Sequence, residues 1–248
     1  MEKLDYENAI PVTREIYWVG FNDAAGGLHC NPYLLLDGDE AIFIDSGSIP
    51  DFPKVMRKVI DVTEPSRISH IIAHHQDPDV CGNLAVVEDV IARPDLRIVA
   101  HQHTIRLIRH IGLRSEFYAV DNHDFKLTLK SGRVLEFMFT PFLHSPGAIV
   151  TYDVKSKSLF TSDIFGAINS DKWSLFASGD FCTPMAPFHQ AYMASNRILS
   201  SALSRMQERW DIERILPQHG SILEGDDMVT AFNFLKALPC GADLIEDI

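Results

Sequence analysis

The chain alternates two kinds of apolar pattern. Short runs of Val, Ile, Leu, Phe and Tyr read as β-strands, and segments with apolar residues every three or four positions read as amphipathic helices. Three strand-like runs come early, at 15–20 (EIYWVG), 31–37 (NPYLLLD) and 41–47 (AIFIDSG), with Asp-Gly at 37–38 as the turn between the last two. Residues 51–62 (DFPKVMRKVIDV) carry helical spacing, 68–75 (ISHIIAHH) read as a strand and 82–92 (GNLAVVEDVIA) as a helix. A further strand is expected at 96–101 and a helix at 102–112, followed by a strand-rich stretch from about 117 to 160 with a turn at 130–132. The longest helical pattern is 189–209 (HQAYMASNRILSSALSRMQER). A strand running into a loop at 212–222 and a helix at 227–238 complete the pattern.

The order is two strand-rich halves, each flanked by helices, with no Gly/Ser or Pro-rich linker between them. The expectation is one α/β domain over 1–248, a four-layer αββα sandwich in which two sheets pack together between outer helices. A net charge of −12 argues against a nucleic-acid partner and against anchoring to anionic lipid. No apolar run reaches the ~18 residues that insertion in a membrane requires, and the N-terminus lacks a charged start followed by an apolar core. The four cysteines (Cys30, Cys81, Cys182, Cys240) are scattered, with no CxxC pair. This pattern excludes a cysteine-rich zinc or rubredoxin-type site and fits reduced thiols in a cytoplasmic protein.

The segment 71–83 (IIAHHQDPDVCGN) crowds two histidines and two aspartates behind an apolar strand. Side chains on extended chain alternate faces, so counting by twos from His75 gathers His75, Asp77 and Asp79 as H-x-D-x-D and leaves His74 in the other phase. Three more polar residues stand just after apolar strands: His144, Asp163 and His219. Strand ends leading into loops are where a rigid scaffold presents reactive groups.

This pattern resembles the metallo-β-lactamase fold from 16 to about 222, in "FIDSG", "SDIFG" and "LPQHG" as well as in the ligand motif. Most hydrolases of that fold have His where Asp77 stands and a second His where Val80 stands. An acid at the first of these positions is the mark of the flavodiiron branch, whose motif is H-x-E-x-D-H. "HHQDPDVCGN" and "MAPFHQAYMASN" are both similar to that branch.

The resemblance implies a pair of non-heme irons. One would be held by His75, Asp77 and His144, the other by Asp79 and His219, with Asp163 bridging. Three carboxylates bring one more negative charge than the hydrolase pattern and favour iron or manganese over zinc. Asp77 is one methylene shorter than the branch's Glu, and Val80 leaves the second metal a coordination position short.

Other residues have two readings each. Cys81 is either a redox-sensitive thiolate or a small residue starting a helix. His189 and Tyr192 either donate hydrogen bonds to O2 in the site or serve helix packing. Phe165 and Trp173 form either an apolar wall or plain core. His29 and Cys30 either line the pocket mouth or belong to a plain loop. His101, His103 and His110 read as a solvated helix start and a helix face.

Flavodiiron enzymes draw electrons from FMN in a following flavodoxin domain. Here 248 − 219 = 29 residues follow His219, and such a domain needs on the order of 100 or more. No flavin is therefore expected within the chain. The leading expectation is a stand-alone oxygen-binding diiron protein, an O2 sensor feeding a chemotaxis signalling partner. An O2 or NO reductase fed by a separate flavoprotein electron donor is the alternative, and a dizinc hydrolase the third reading. A homodimer is compatible with all three.

Overall fold

The computed structural model describes residues 4–22, 28–168 and 173–245. By contact density the described residues divide into two compact units. The first comprises 4–22 and 30–134, the second 28–29 and 135–245.

The first unit carries a seven-stranded sheet. Its strands are β1 (Ile10–Pro11), β2 (Ile16–Trp18), β3 (Tyr33–Asp37), β4 (Glu40–Ile44), β5 (Ile68–Ile72), β6 (Arg97–Ala100) and β7 (Glu116–Ala119), ordered in space as in sequence. The β3–β4 hairpin turns at Gly38, whose φ of +58° suits glycine, and pairs Asp37 with Glu40. From β4 onward the pairing is parallel. Parallel strands need crossovers, and three helices supply them: α1 (Phe52–Val62) before β5, α3 (Leu84–Ile91) before β6 and α4 (Gln102–Ile108) before β7, with a single-turn α2 (Pro78–Cys81) ahead of α3. β5 is hydrogen-bonded on both sides and buries Ile68, Ile71 and Ile72 completely, with Ser69 and His70 between them. Val55, Met56 and Val59 of α1 and Leu84, Val87 and Ile91 of α3 pack with Leu34, Phe43, Ile71 and Ile98 into this unit's core. His101 is buried and caps α4, its Nδ1 accepting from His103 N at 3.1 Å, where solvent was expected.

After β8 (Lys126–Thr128), the strands β9 (Val134–Phe139), β10 (Ile149–Asp153), β11 (Ser158–Ser162), β12 (Arg214–Pro217) and β13 (Leu223–Glu224) follow. Their order is β13-β12-β11-β10-β9, with only β11–β12 parallel. The 189–209 pattern is two helices rather than one. α5 (Met185–Tyr192) stops, and α6 (Asn196–Arg209) restarts behind Ser195, whose hydroxyl accepts from Ile198 N at 3.4 Å. An apolar stripe running through a capping serine belongs to two segments. α7 (Asp226–Ala237) packs on α6, and Leu199, Leu203, Phe232 and Leu235 join Met138, Val150 and Ile215 in the second core. All four cysteines are free, and among the described residues no helix is long and apolar enough to cross a membrane.

Candidate metal centre

In the first unit the chain leaves β5 through Ala73, whose N–H still donates to Val99 O at 2.9 Å. The next two residues diverge. His74 turns toward Asp45, which takes its backbone N–H at 3.0 Å on Oδ1 and its Nδ1 at 2.7 Å on Oδ2. Asp45 holds a positive φ of 50° at the end of β4, so this pair ties the ends of two strands together. His75 points the other way, and its Nε2 lies 3.7 Å from Asp77 Oδ2. Asp77 stands at the N-cap position of α2 with its side chain making no capping bond, and Asp79 sits in that helix's first turn. Ser46 and Asn83 exchange hydrogen bonds of 2.6 and 2.7 Å, fixing α2 and α3 against the loop after β4.

Two residues follow Asp79 in this helix. Val80 is fully buried among the residues of the first core and supplies no donor. Cys81 donates to the carbonyls of Gln76 and Asp77 at 3.1 and 3.2 Å. Burial, reinforced by Asp45, Asp77 and Asp79, pushes its thiol up to about 12. It is a protonated helix-start residue rather than a thiolate. Cys30 also approaches these acids, its Sγ 3.9 Å from Asp79 Oδ2.

In the second unit three donors meet. Asp163 follows β11 in a tight turn. Ser162 and Phe165 on either side of it have φ of +52° and +69°, Gln218 N donates to Ser162 O at 2.7 Å, and Gly166 N donates to Asp163 O at 2.9 Å. The carboxylate stands between two imidazoles, with Oδ2 2.6 Å from His144 Nε2 and Oδ1 3.6 Å from His219 Nε2. His219 Nδ1 lies 2.6 Å from the carbonyl of His29. A carbonyl can only accept, so the proton is assigned to Nδ1 and the lone pair to Nε2, the usual arrangement of a metal-binding histidine.

One helix braces this trio. From α5, Phe188 lies 5.4 Å from the His219 ring and Tyr192 5.7 Å from the His144 ring. His189 is fully buried between them in sequence. Its Nδ1 donates to Met185 O at 2.8 Å, and its Nε2 accepts from Phe165 N at 3.2 Å. Both ring nitrogens are engaged, so His189 supports the Asp163 turn instead of donating to a ligand. Phe165 is buried edge-on against Phe232. Trp173 donates to Gly220 O at 2.9 Å and packs on His29 with ring centroids 4.2 Å apart, beside His219.

Burial holds His189 down at about 4. The unfolded chain, with an ordinary His near 6.5, takes up a proton that the folded chain refuses. Stability is therefore expected to fall as pH drops from about 6.5 toward 4, by roughly 2–4 kcal/mol. His70 is also held at about 4, chiefly by burial, and adds to the same trend. The measurement is accordingly the difference in urea midpoints between wild type and His189→Gln across that range. The glutamine keeps an acceptor for Phe165 N–H and cannot titrate, so equal pH dependence in the two proteins would contradict this role.

A model of the ODP family beta lactamases matches residues 28–220. The chain belongs to that family. ODP-family membership agrees with the structural comparison. A solved structure described as the peroxy diiron species of chemotaxis sensor ODP superposes with a TM-score of 0.81 at 26% identity, covering 96% of this chain and 98% of that one. Diflavin flavoprotein A 1 of Synechocystis sp. is 28% identical over 202 residues, 79% of this chain and 34% of that protein. Flavo-diiron protein FprA2 of Clostridium acetobutylicum is 30% identical over 142 residues, 56% of this chain and 34% of that protein. The chain thus spans about a third of the length of these curated relatives. The mixed sheets with flanking helices are those of the metallo-β-lactamase fold shared by the ODP and flavodiiron proteins.

Proposed function

We propose that His75, Asp77, Asp79, His144, Asp163 and His219 ligate two non-heme irons, and that the protein binds O2 there as the sensing element of a chemotaxis pathway. In this reading one iron takes His75, Asp77 and His144, the other takes Asp79 and His219, and Asp163 serves both. The observation that carries it is the Asp163 carboxylate, which offers one oxygen toward each of two imidazole Nε2 atoms. Paired cations sharing a carboxylate typically stand about 3.5–4 Å apart, and a carboxylate flanked in this way suits that task. Three carboxylates with three imidazoles make a hard, anionic donor set suited to iron.

When bound, the iron pair supplies the redox chemistry that O2 binding requires. The chain's own residues do the rest. His29 O orients His219, the His189–Phe165 hydrogen bond holds the Asp163 turn, and Phe188 and Trp173 present apolar surface beside His219 and His29. The sensor reading is supported by the near-complete mutual coverage with the chemotaxis sensor ODP structure. The flavodiiron relative supports a second reading, an O2 or NO reductase supplied with electrons by a separate flavoprotein. Four free thiols fit a cytoplasmic location.

Anaerobic purification followed by elemental analysis is expected to find two irons per chain, and two zincs would instead indicate a hydrolase. Exposure of the ferrous protein to one equivalent of O2 is then expected to produce a visible absorption that persists. Rapid loss of that absorption, with continuous O2 consumption once reduced flavodoxin or rubredoxin is added, would overturn the sensor reading in favour of the reductase.

A further inference from the structure

The proposed ligand set is uneven. The iron assigned to His75, Asp77 and His144 has three donors besides Asp163, whereas the iron assigned to Asp79 and His219 has two. Val80 cannot make up the difference, since its side chain is buried in the first core.

Cys30 is placed to do so. Its Sγ is 3.9 Å from Asp79 Oδ2, and the two side chains can each offer one donor atom to a single ion. Metal–sulfur and metal–oxygen bonds of about 2.3 and 2.1 Å at a tetrahedral angle set the two ligand atoms about 3.6 Å apart. The observed separation is therefore within a few tenths of an ångström of the value for two donors on one cation. Without an ion the thiol donates a long, weak hydrogen bond to that carboxylate, which holds the two donor atoms side by side.

The backbone around Cys30 is fixed rather than loose. A Cβ on Gly20 would lie 2.6 Å from Cys30 O, so β2's exit strand passes directly against it. The following residue, Asn31, accepts from Trp18 Nε1 at 2.8 Å. The preceding residue, His29, is the one whose carbonyl receives His219 Nδ1 at 2.6 Å. The same short segment thus orients one proposed ligand through its main chain and directs a sulfur toward another.

We propose that Cys30 is a further metal ligand, binding as thiolate to the ion held by Asp79. This rests on the metal-centre reading above. On binding, the Cys30 S–H proton passes to solvent and the sulfur lone pair forms the new bond. The thiolate brings a fourth anionic donor, and a soft one, to an otherwise hard set.

Cobalt(II) tests the assignment without reference to O2 chemistry. Anaerobic titration of the full chain is expected to load two cobalts and to develop an intense near-ultraviolet sulfur-to-cobalt charge-transfer band. Cys30→Ser and Cys30→Ala should lose that band, and their weaker cobalt should bind at least ~10–100-fold less tightly, the loss already typical of removing an outer partner of a ligand. Cys81→Ser and Cys182→Ser should keep the band. As an independent measure, cobalt should protect Cys30, identified by peptide mass mapping, from alkylation by iodoacetamide. Two bound cobalts with no charge-transfer band, or a band that survives in Cys30→Ser, would overturn the Cys30 assignment and leave the diiron reading standing. Failure of the wild-type chain to bind stoichiometric cobalt would overturn both.

Discussion

Asp163→Ala is expected to release metal from both positions at once, taking iron from two per chain to none after gel filtration. One carboxylate is assigned to both ions, so its loss removes a donor from each and the negative charge that offsets their mutual repulsion. The fold should survive the change. The Asp163 turn is held by its backbone, through Gly166 N to Asp163 O and Gln218 N to Ser162 O, and by Phe165 N to His189. Circular dichroism of the metal-free variant should therefore match that of metal-free wild type. Elemental analysis of an anaerobically prepared sample decides the question. Retention of two ions at full occupancy would show that Asp163 does not bridge.

Val80→His gives the second large effect, and on stability rather than on metal. By sequence alone the substitution restores a ligand at a position where relatives carry one. In the structure Val80 is wholly buried among the core residues of the first unit. A histidine there overpacks the core by one ring, at about 1–3 kcal/mol, and buries polar nitrogens without arranged partners, at about 1–3 kcal/mol more. The expected destabilisation is about 2–6 kcal/mol on those two grounds, read from the shift of the urea midpoint. Val80→Ile serves as the control that adds bulk without polarity and should lose much less. A histidine variant as stable as wild type, with an altered cobalt spectrum, would mean that the side chain at 80 reaches the ion after all.

The physical reason for this reversal lies in where the strand ends. Counting by twos assumes extended chain from His75 through Asp79. The chain stays extended only as far as Asp77, because Pro78 opens α2. Successive helical residues point about 100° apart, so Asp79 and Val80 leave on different sides, and Val80 falls on the face that meets the core. The period-two count still selected His75 over His74, because that part of the segment is extended and Asp45 draws His74 to the opposite side.

His189 shows the same limit in another form. A histidine on a helix close to the site in sequence pattern is a natural candidate donor to a ligand. Its environment made it something else. Complete burial keeps it neutral, Met185 O fixes its tautomer, and Phe165 N–H occupies its remaining nitrogen. No spacing rule encodes that burial or the pairing with Phe165 N–H, since Phe165 and His189 stand 24 residues apart.

Apolar periodicity by itself determined most of the elements, because a strand buried on both sides and a helix buried on one leave different repeats in the chain. It also located His144, Asp163 and His219, since each stands within a few residues of the end of an apolar strand, and the order of these residues pointed to the family. Only the tertiary structure decided the break between α5 and α6, the inward turn of Val80, the bracing role of His189 and the approach of Cys30 to Asp79. The first two hinge on local signals, Ser195 and Pro78, that the period counts passed over, whereas the last two depend on which distant residue supplies a hydrogen bond or a neighbouring charge, which local sequence does not carry.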